Sequence, residues 1–111
     1  MSIAGDEMAD RIRSALGHRP GITEKRMFGG ICFMLNGNMV ACATKAGNLM
    51  IRIDPAARTA ALERPGAGPM QMGSKEMHGF LEISDEGIES ASNFTDWLAY
   101  AETFVKTLPA K

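Results

Sequence analysis

Few side chains in this sequence could do chemistry. They are two cysteines, Cys32 and Cys42, and two histidines, His18 and His78. A reactive thiol needs a neighbouring base or positive charge to draw off its proton. Neither cysteine has a histidine close by in sequence. The two cysteines fall in apolar runs joined by Asn36-Gly37, a pair that tolerates the positive φ of a type I′ hairpin turn. With a two-residue turn, Cys32 faces Ala41 and Cys42 faces Ile31, and the sulfurs point to opposite sheet faces. A three-residue turn, Asn36-Gly37-Asn38, puts Cys32 opposite Cys42. Register therefore decides whether the thiols meet. Residue type favours two small buried apolar side chains, with a thiol switch as the alternative. No disulfide is expected under reducing conditions.

Other chemistries find less support. There is no CxxC, no HxxxH and no cluster of His, Asp and Glu at ligand spacing, so no metal and no cofactor is expected. His18 and His78 are expected as solvated loop residues. The acidic pairs Asp6-Glu7 and Asp85-Glu86 are read as capping or solubilising groups at helix starts and in loops. Asn93-Phe94-Thr95 fits a glycosylation sequon, which has meaning only in a secreted protein. Gly29-Gly30 leads into a strand rather than a helix N-terminus, so it is read as a bulge or tight turn and not as a phosphate cradle.

The elements that must position these residues follow from period and punctuation. Met8, Ile12 and Leu16 recur every four residues, giving a first helix with Asp6 at its N-cap and Gly17 just past its end. Arg11 and Arg13 lie off that stripe and are expected in solvent. Strands are expected over residues 23–27, 31–35, 39–44 and 49–53. In the last of these Leu49, Ile51 and Ile53 share one face, with Met50 and Arg52 on the other. Asp54-Pro55 caps a second, alanine-rich helix, and residues 65–69 end it as a turn. Residues 70–72 form a short edge strand, residues 80–83 a better one, and residues 85–87 a loop. A final helix starts at Ser92 or Asn93. It carries Phe94, Trp97, Leu98, Ala101, Val105 and Leu108 on one wide face, and Pro109 stops it. The expected fold is a two-layer α+β domain, with a mostly antiparallel sheet of three to four meandering strands, one or two later strands, and three helices.

The chain has 111 residues, with 12 Lys+Arg against 13 Asp+Glu, 45% apolar and 23% charged residues. That length suits a single domain over residues 1–111. A formal net charge of −1 argues against direct binding of nucleic acid. No purely apolar stretch is longer than the run Ile31 to Leu35, which is too short for a membrane span. No secretory signal is visible at residues 1–7, so a cytoplasmic location is expected. Charge is unevenly spread. Residues 21–53 hold Lys25, Arg26, Lys45 and Arg52 with Glu24 as the lone acid, and residues 79–105 hold six acids and no base. Nine methionines are many for this length; methionine suits irregular cores and adaptable contact surfaces.

Arg26-Met27-Phe28-Gly29-Gly30, the apolar hairpin that follows, Gly47-Asn48-Leu49 and Ile51-Arg52-Ile53-Asp54 together resemble the TfoX N-terminal domain family. Pro69-Met70 and the terminal helix with Trp97 extend the likeness over nearly the whole chain. The resemblance implies a two-layer fold like that of YgaC and of secretion chaperones. It also implies a link to competence or transcriptional regulation in bacteria, although proteins with the competence role carry a second, C-terminal domain; this sequence reads as a stand-alone N-terminal module. The resemblance supplies no catalytic residues. Arg26 to Gly30 are its signature and are read as structural, with Phe28 anchoring the core. The expected function is a non-enzymatic regulatory or protein-interaction domain that meets an unknown protein partner through Lys25, Arg26, Met50 and Arg52. A homodimer through a free sheet edge is a further expectation. The alternative is an enzyme or small-molecule binder using Cys32 or Cys42 with His78.

Overall fold

The computed structural model describes residues 3–17, 19–27, 29–72 and 74–111. Helix α1 (Ile3–Leu16) leads into four strands, β1 (Ile22–Met27), β2 (Gly30–Leu35), β3 (Asn38–Ala43) and β4 (Leu49–Arg52). A 3₁₀ turn (Pro55–Ala57) runs into the short helix α2 (Arg58–Leu62). Strands β5 (Ala67–Met72) and β6 (Lys75–Ile83) follow, then α3 (Asp85–Ile88) and α4 (Ala91–Val105). The six strands form one sheet in the order β1-β2-β3-β4-β6-β5, and every neighbouring pair is antiparallel. This is the α+β architecture that the sequence implies, with two more strands than its minimum and the additional short helix α3.

Local chemistry explains most boundaries. Asn36 (φ 52°) and Gly37 (φ 86°) make the expected two-residue turn between β2 and β3. Asp54 caps the 3₁₀ turn: its carboxylate accepts from the Ala56 N–H at 3.0 Å, and Pro55 takes the first position, where no donor is needed. Gly29 (φ 77°) turns the chain between β1 and β2. A Cβ on Gly30 would collide with the Ala43 carbonyl oxygen, so only glycine lets β2 lie this close to the end of β3.

Several expectations are corrected. Helix α1 begins at Ile3, so Asp6 lies inside its first turn and favours the helix dipole there instead of capping. The Pro/Gly stretch over residues 65–69 does not remain a turn: Ala67, Gly68 and Pro69 pair with β6. Pro69 is tolerated because β5 is an edge strand, where a missing donor breaks no ladder. Strand β6 starts at Lys75, not at Phe80, so His78 sits within a strand. Residues 85–87 are not a loop but the start of α3. Helix α4 begins at Ala91, capped by Ser90, whose hydroxyl accepts from the Asn93 N–H at 3.0 Å. It ends at Val105, before Leu108 and Pro109. Arg11 is part-buried instead of free in solvent, whereas Arg13 is exposed, as expected, and still finds a partner. Arg11 donates to the Ile88 carbonyl at 2.9 Å and covers the Phe94 ring at 4.1 Å, and Arg13 grips Glu24 on β1. The expectations for His18 and Phe28 fall outside the described residues.

The core lies between the sheet and the helices. Met8, Ile12 and Leu16 of α1 and Phe94, Trp97, Leu98, Ala101 and Val105 of α4 pack on Ile31, Phe33, Leu35, Ala41, Leu49, Ile51, Leu81 and Ile83. These strand residues alternate along their strands, so all the packed side chains project from one face. An ion pair closes this layer at its rim: Glu102 of α4, only 4% exposed, meets the exposed Arg19 at 2.8 Å.

Candidate functional site

The residues between those core positions point to the other face of the sheet. Among the described residues they form a second cluster with no helix residue in it. Cys32, Met39, Cys42 and Met50 are its buried centre, and Met27, Met34, Met70 and Phe80 are its half-buried surround. Helices α1 and α4 both pack on the opposite face. A sulfur-rich surface thus covers one side of the sheet, and flexible side chains, not a secondary-structure element, separate its centre from water.

The cysteines meet there, by a route that neither turn length alone predicts. The turn is two residues long, which puts Leu35 opposite Asn38 and Met34 opposite Met39. Between Met34 and Phe33 the register slips by one residue, so that Val40 is unpaired and Phe33 faces Ala41. This is a β-bulge. It sends both Val40 and Ala41 to the helix-packed core. It also brings Cys32 directly opposite Cys42, on the same face. Both are free thiols and fully buried, with their Sγ atoms 2.9 Å apart in an S–H···S contact.

That contact sets their acidity. Once one proton leaves, the thiolate keeps the other thiol's proton as its hydrogen bond. The Cys32 thiol is pulled below its ordinary value by this bond to Cys42, although burial acts the other way. Cys42 is pushed up, first by the same bond and then by burial and the neighbouring charge. The two titrate as a pair.

Of the expected contact residues, Lys25, Met50 and Arg52 lie on this face. Lys25 pairs with Cys32 across β1–β2, Met50 with Cys42 across β3–β4, and Arg52 with Phe80 across β4–β6. The Arg52 guanidinium stands 5.9 Å from the Phe80 ring centre. Arg26 is separated from the other three. Its partner is Ile31, a core residue, so alternation turns Arg26 to the helix side. His78 does not join the thiols either. It is exposed and lies 3.4 Å from Glu76, which also pairs with Arg58, whereas the thiols are buried against each other. Charge is mixed on this face as well: Glu82, opposite Met50, accepts from the Asn48 side chain at 3.2 Å. The division into a basic segment and an acidic segment is therefore not a division of the surface.

One feature of the helix side escapes sequence reasoning. An open groove of about 700 Å³ runs between the 3₁₀ turn, the end of α2 and the outer side of α4, lined by Asp54, Ala57, Arg64, Asp96, Tyr100, Thr103 and Phe104 among others. Arg64 covers both Tyr100 (4.6 Å) and Trp97 (5.1 Å). Its lining comes from segments far apart in sequence, which no local pattern brings together. Among the described residues, no three His, Cys, Asp or Glu side chains gather as metal ligands would, and no helix is long and apolar enough to cross a membrane.

Comparison with known proteins adds one finding. The model of the TfoX N-terminal domain family matches residues 14–105. No curated protein and no solved structure shows a significant match.

Proposed function

The chain belongs to the TfoX N-terminal domain family, and from that premise we propose that it is a non-catalytic protein-interaction module of the regulatory kind. It docks its partner on the helix-free face of the sheet. The observation that carries this reading is the asymmetry of the sheet: one face is filled by α1 and α4, and the other presents half-buried Met27, Met34, Met70 and Phe80. Adaptable thioethers next to an aromatic ring suit a contact surface. The partner that fits is a protein segment with apolar side chains flanked by acidic ones, because Lys25 and Arg52 project from the same face. The resemblance to competence regulators favours a regulatory partner over a metabolic one. The separation of His78 from both thiols favours binding over thiol catalysis.

Homodimerisation through a sheet edge is less favoured. The edge strand β1 carries Glu24, Lys25 and Arg26, and the other edge, β5, carries Pro69. Charges and proline at edges are the usual devices that prevent strand addition.

The test is affinity capture with three versions of the protein: the parent, the double charge reversal Lys25→Glu/Arg52→Glu, and Arg64→Glu on the helix side. The reading predicts that partners retained by the parent are lost from the double reversal and kept by Arg64→Glu, with all three equally folded. Retention of every partner by the double reversal contradicts it.

A further inference from the structure

We propose that Cys32 and Cys42 are a redox modification site, a dithiol that hydrogen peroxide converts to a cross-strand disulfide between β2 and β3. The inference stands apart from the docking reading.

Geometry carries it. Residues directly opposite in an antiparallel pair have Cα atoms about 4.5–5.5 Å apart. That lies inside the range of about 4.4–6.8 Å which a disulfide spans. The bulge at Val40 places Cys32 and Cys42 in that relation. Their sulfurs are already 2.9 Å apart, against about 2.05 Å in the bond itself. A shared metal ion fits less well. Two sulfurs at about 2.3 Å from an ion with a tetrahedral angle stand about 3.8 Å apart, so the pair would have to open.

Only side chains stand between the thiols and a small oxidant. The thiols themselves are buried, yet what covers them is a layer of methionine side chains and Phe80, not a helix. The lowered pKa of Cys32, held down by its hydrogen bond with Cys42, supplies thiolate at the first step. That thiolate attacks one peroxide oxygen, the O–O bond breaks, and Cys32 becomes a sulfenic acid as the other oxygen leaves as water after taking a proton. The Cys42 sulfur then attacks the Cys32 sulfur. Hydroxide departs with the Cys42 proton as a second water, and the S–S bond forms. Two electrons pass from the two sulfurs to the peroxide. A dithiol reductant reverses the change by thiol–disulfide exchange.

The experiment exposes the folded full chain to hydrogen peroxide, quenches it, unfolds it and alkylates the remaining thiols. The nine methionines take up oxygen in the same exposure. The readout is therefore the tryptic peptide of residues 27–45, which holds both cysteines, sequenced by fragmentation so that oxygen on Met27, Met34 and Met39 is told apart from change at the cysteines. The expected result is a peptide with neither thiol alkylated and lighter by two hydrogens at its cysteines; prior treatment with dithiothreitol restores both alkylation sites. In Cys42→Ser the reaction should stop at a sulfenic acid on Cys32, trapped by dimedone. Three results overturn the proposal. They are both thiols remaining alkylatable after peroxide, sulfinic or sulfonic acid in place of the bond, and a disulfide between two chains.

Discussion

The two faces of the sheet are made of different materials. The helix-packed face is aliphatic and aromatic: Phe33, Leu49, Ile51, Leu81 and Ile83 are all fully buried beneath α1 and α4. The other face is sulfur: two thiols and five thioethers, with Phe80, and no helix above them. Branched and aromatic side chains have few rotamers and fix one arrangement. Methionine has three soft torsions and specifies little. One side of the strands holds the fold, and in the proposed function the other is the side that adjusts to a partner.

The largest effect expected from this contrast is on the helix side. Phe33→Ala removes a fully buried ring and should cost about 3–5 kcal/mol. Chemical denaturation should show a lowered midpoint and a lowered melting temperature. A much smaller effect on the sulfur side sharpens the comparison. Met50→Leu, at a buried centre position, keeps volume and should cost less than about 1.5 kcal/mol. If Met50→Leu proved as damaging as Phe33→Ala, the two faces would not differ in kind.

The smallest effect concerns an edge shared by both. Arg13 of α1 donates from Nε and Nη2 to the two carboxylate oxygens of Glu24 on β1, each at 2.7 Å. This bidentate bond, helped by the Arg13 charge, holds the Glu24 carboxyl below its ordinary value, although burial acts the other way. A depressed carboxyl contributes stability that is present above the unfolded-state value of about 4.3 and is lost as pH falls through the folded value. Both partners are well exposed to solvent, so Glu24→Gln should cost only about 0.5 kcal/mol at neutral pH. Melting curves of the two proteins should converge as the pH is taken below that of an ordinary glutamate. A difference that persists in acid breaks the assignment.

What the sequence made legible follows the same division. The alternation of Leu49, Ile51 and Ile53, the Asn36-Gly37 turn, the Asp54-Pro55 cap and the buried stripe of α4 are local patterns with local causes, and each is present. The candidate site was half legible. Lys25, Met50 and Arg52 share its face, as simple alternation allows, while Arg26 is turned away by the same alternation. The meeting of Cys32 and Cys42 was not readable, because it depends on the bulge at Val40. No glycine or proline marks that bulge. It exists because Val40 and Ala41 both gain burial against the helices. Strand β5 was obscured for a related reason: Gly68 and Pro69 read as turn residues, yet pairing with β6 outweighs their local preference at an edge.

The central claim is that the sulfur face is where this module meets its partner. Hydroxyl-radical footprinting of the captured complex, read at methionine and aromatic side chains, tests it most directly. Brief oxidation of the free protein should mark Met27, Met34 and Met70, which are half-buried and uncovered by any helix. With the partner bound, all three should be protected, while Tyr100 and Phe104 in the groove beside α4 stay as reactive as before. Protection of Tyr100 and Phe104, with the three methionines unchanged, would contradict the account.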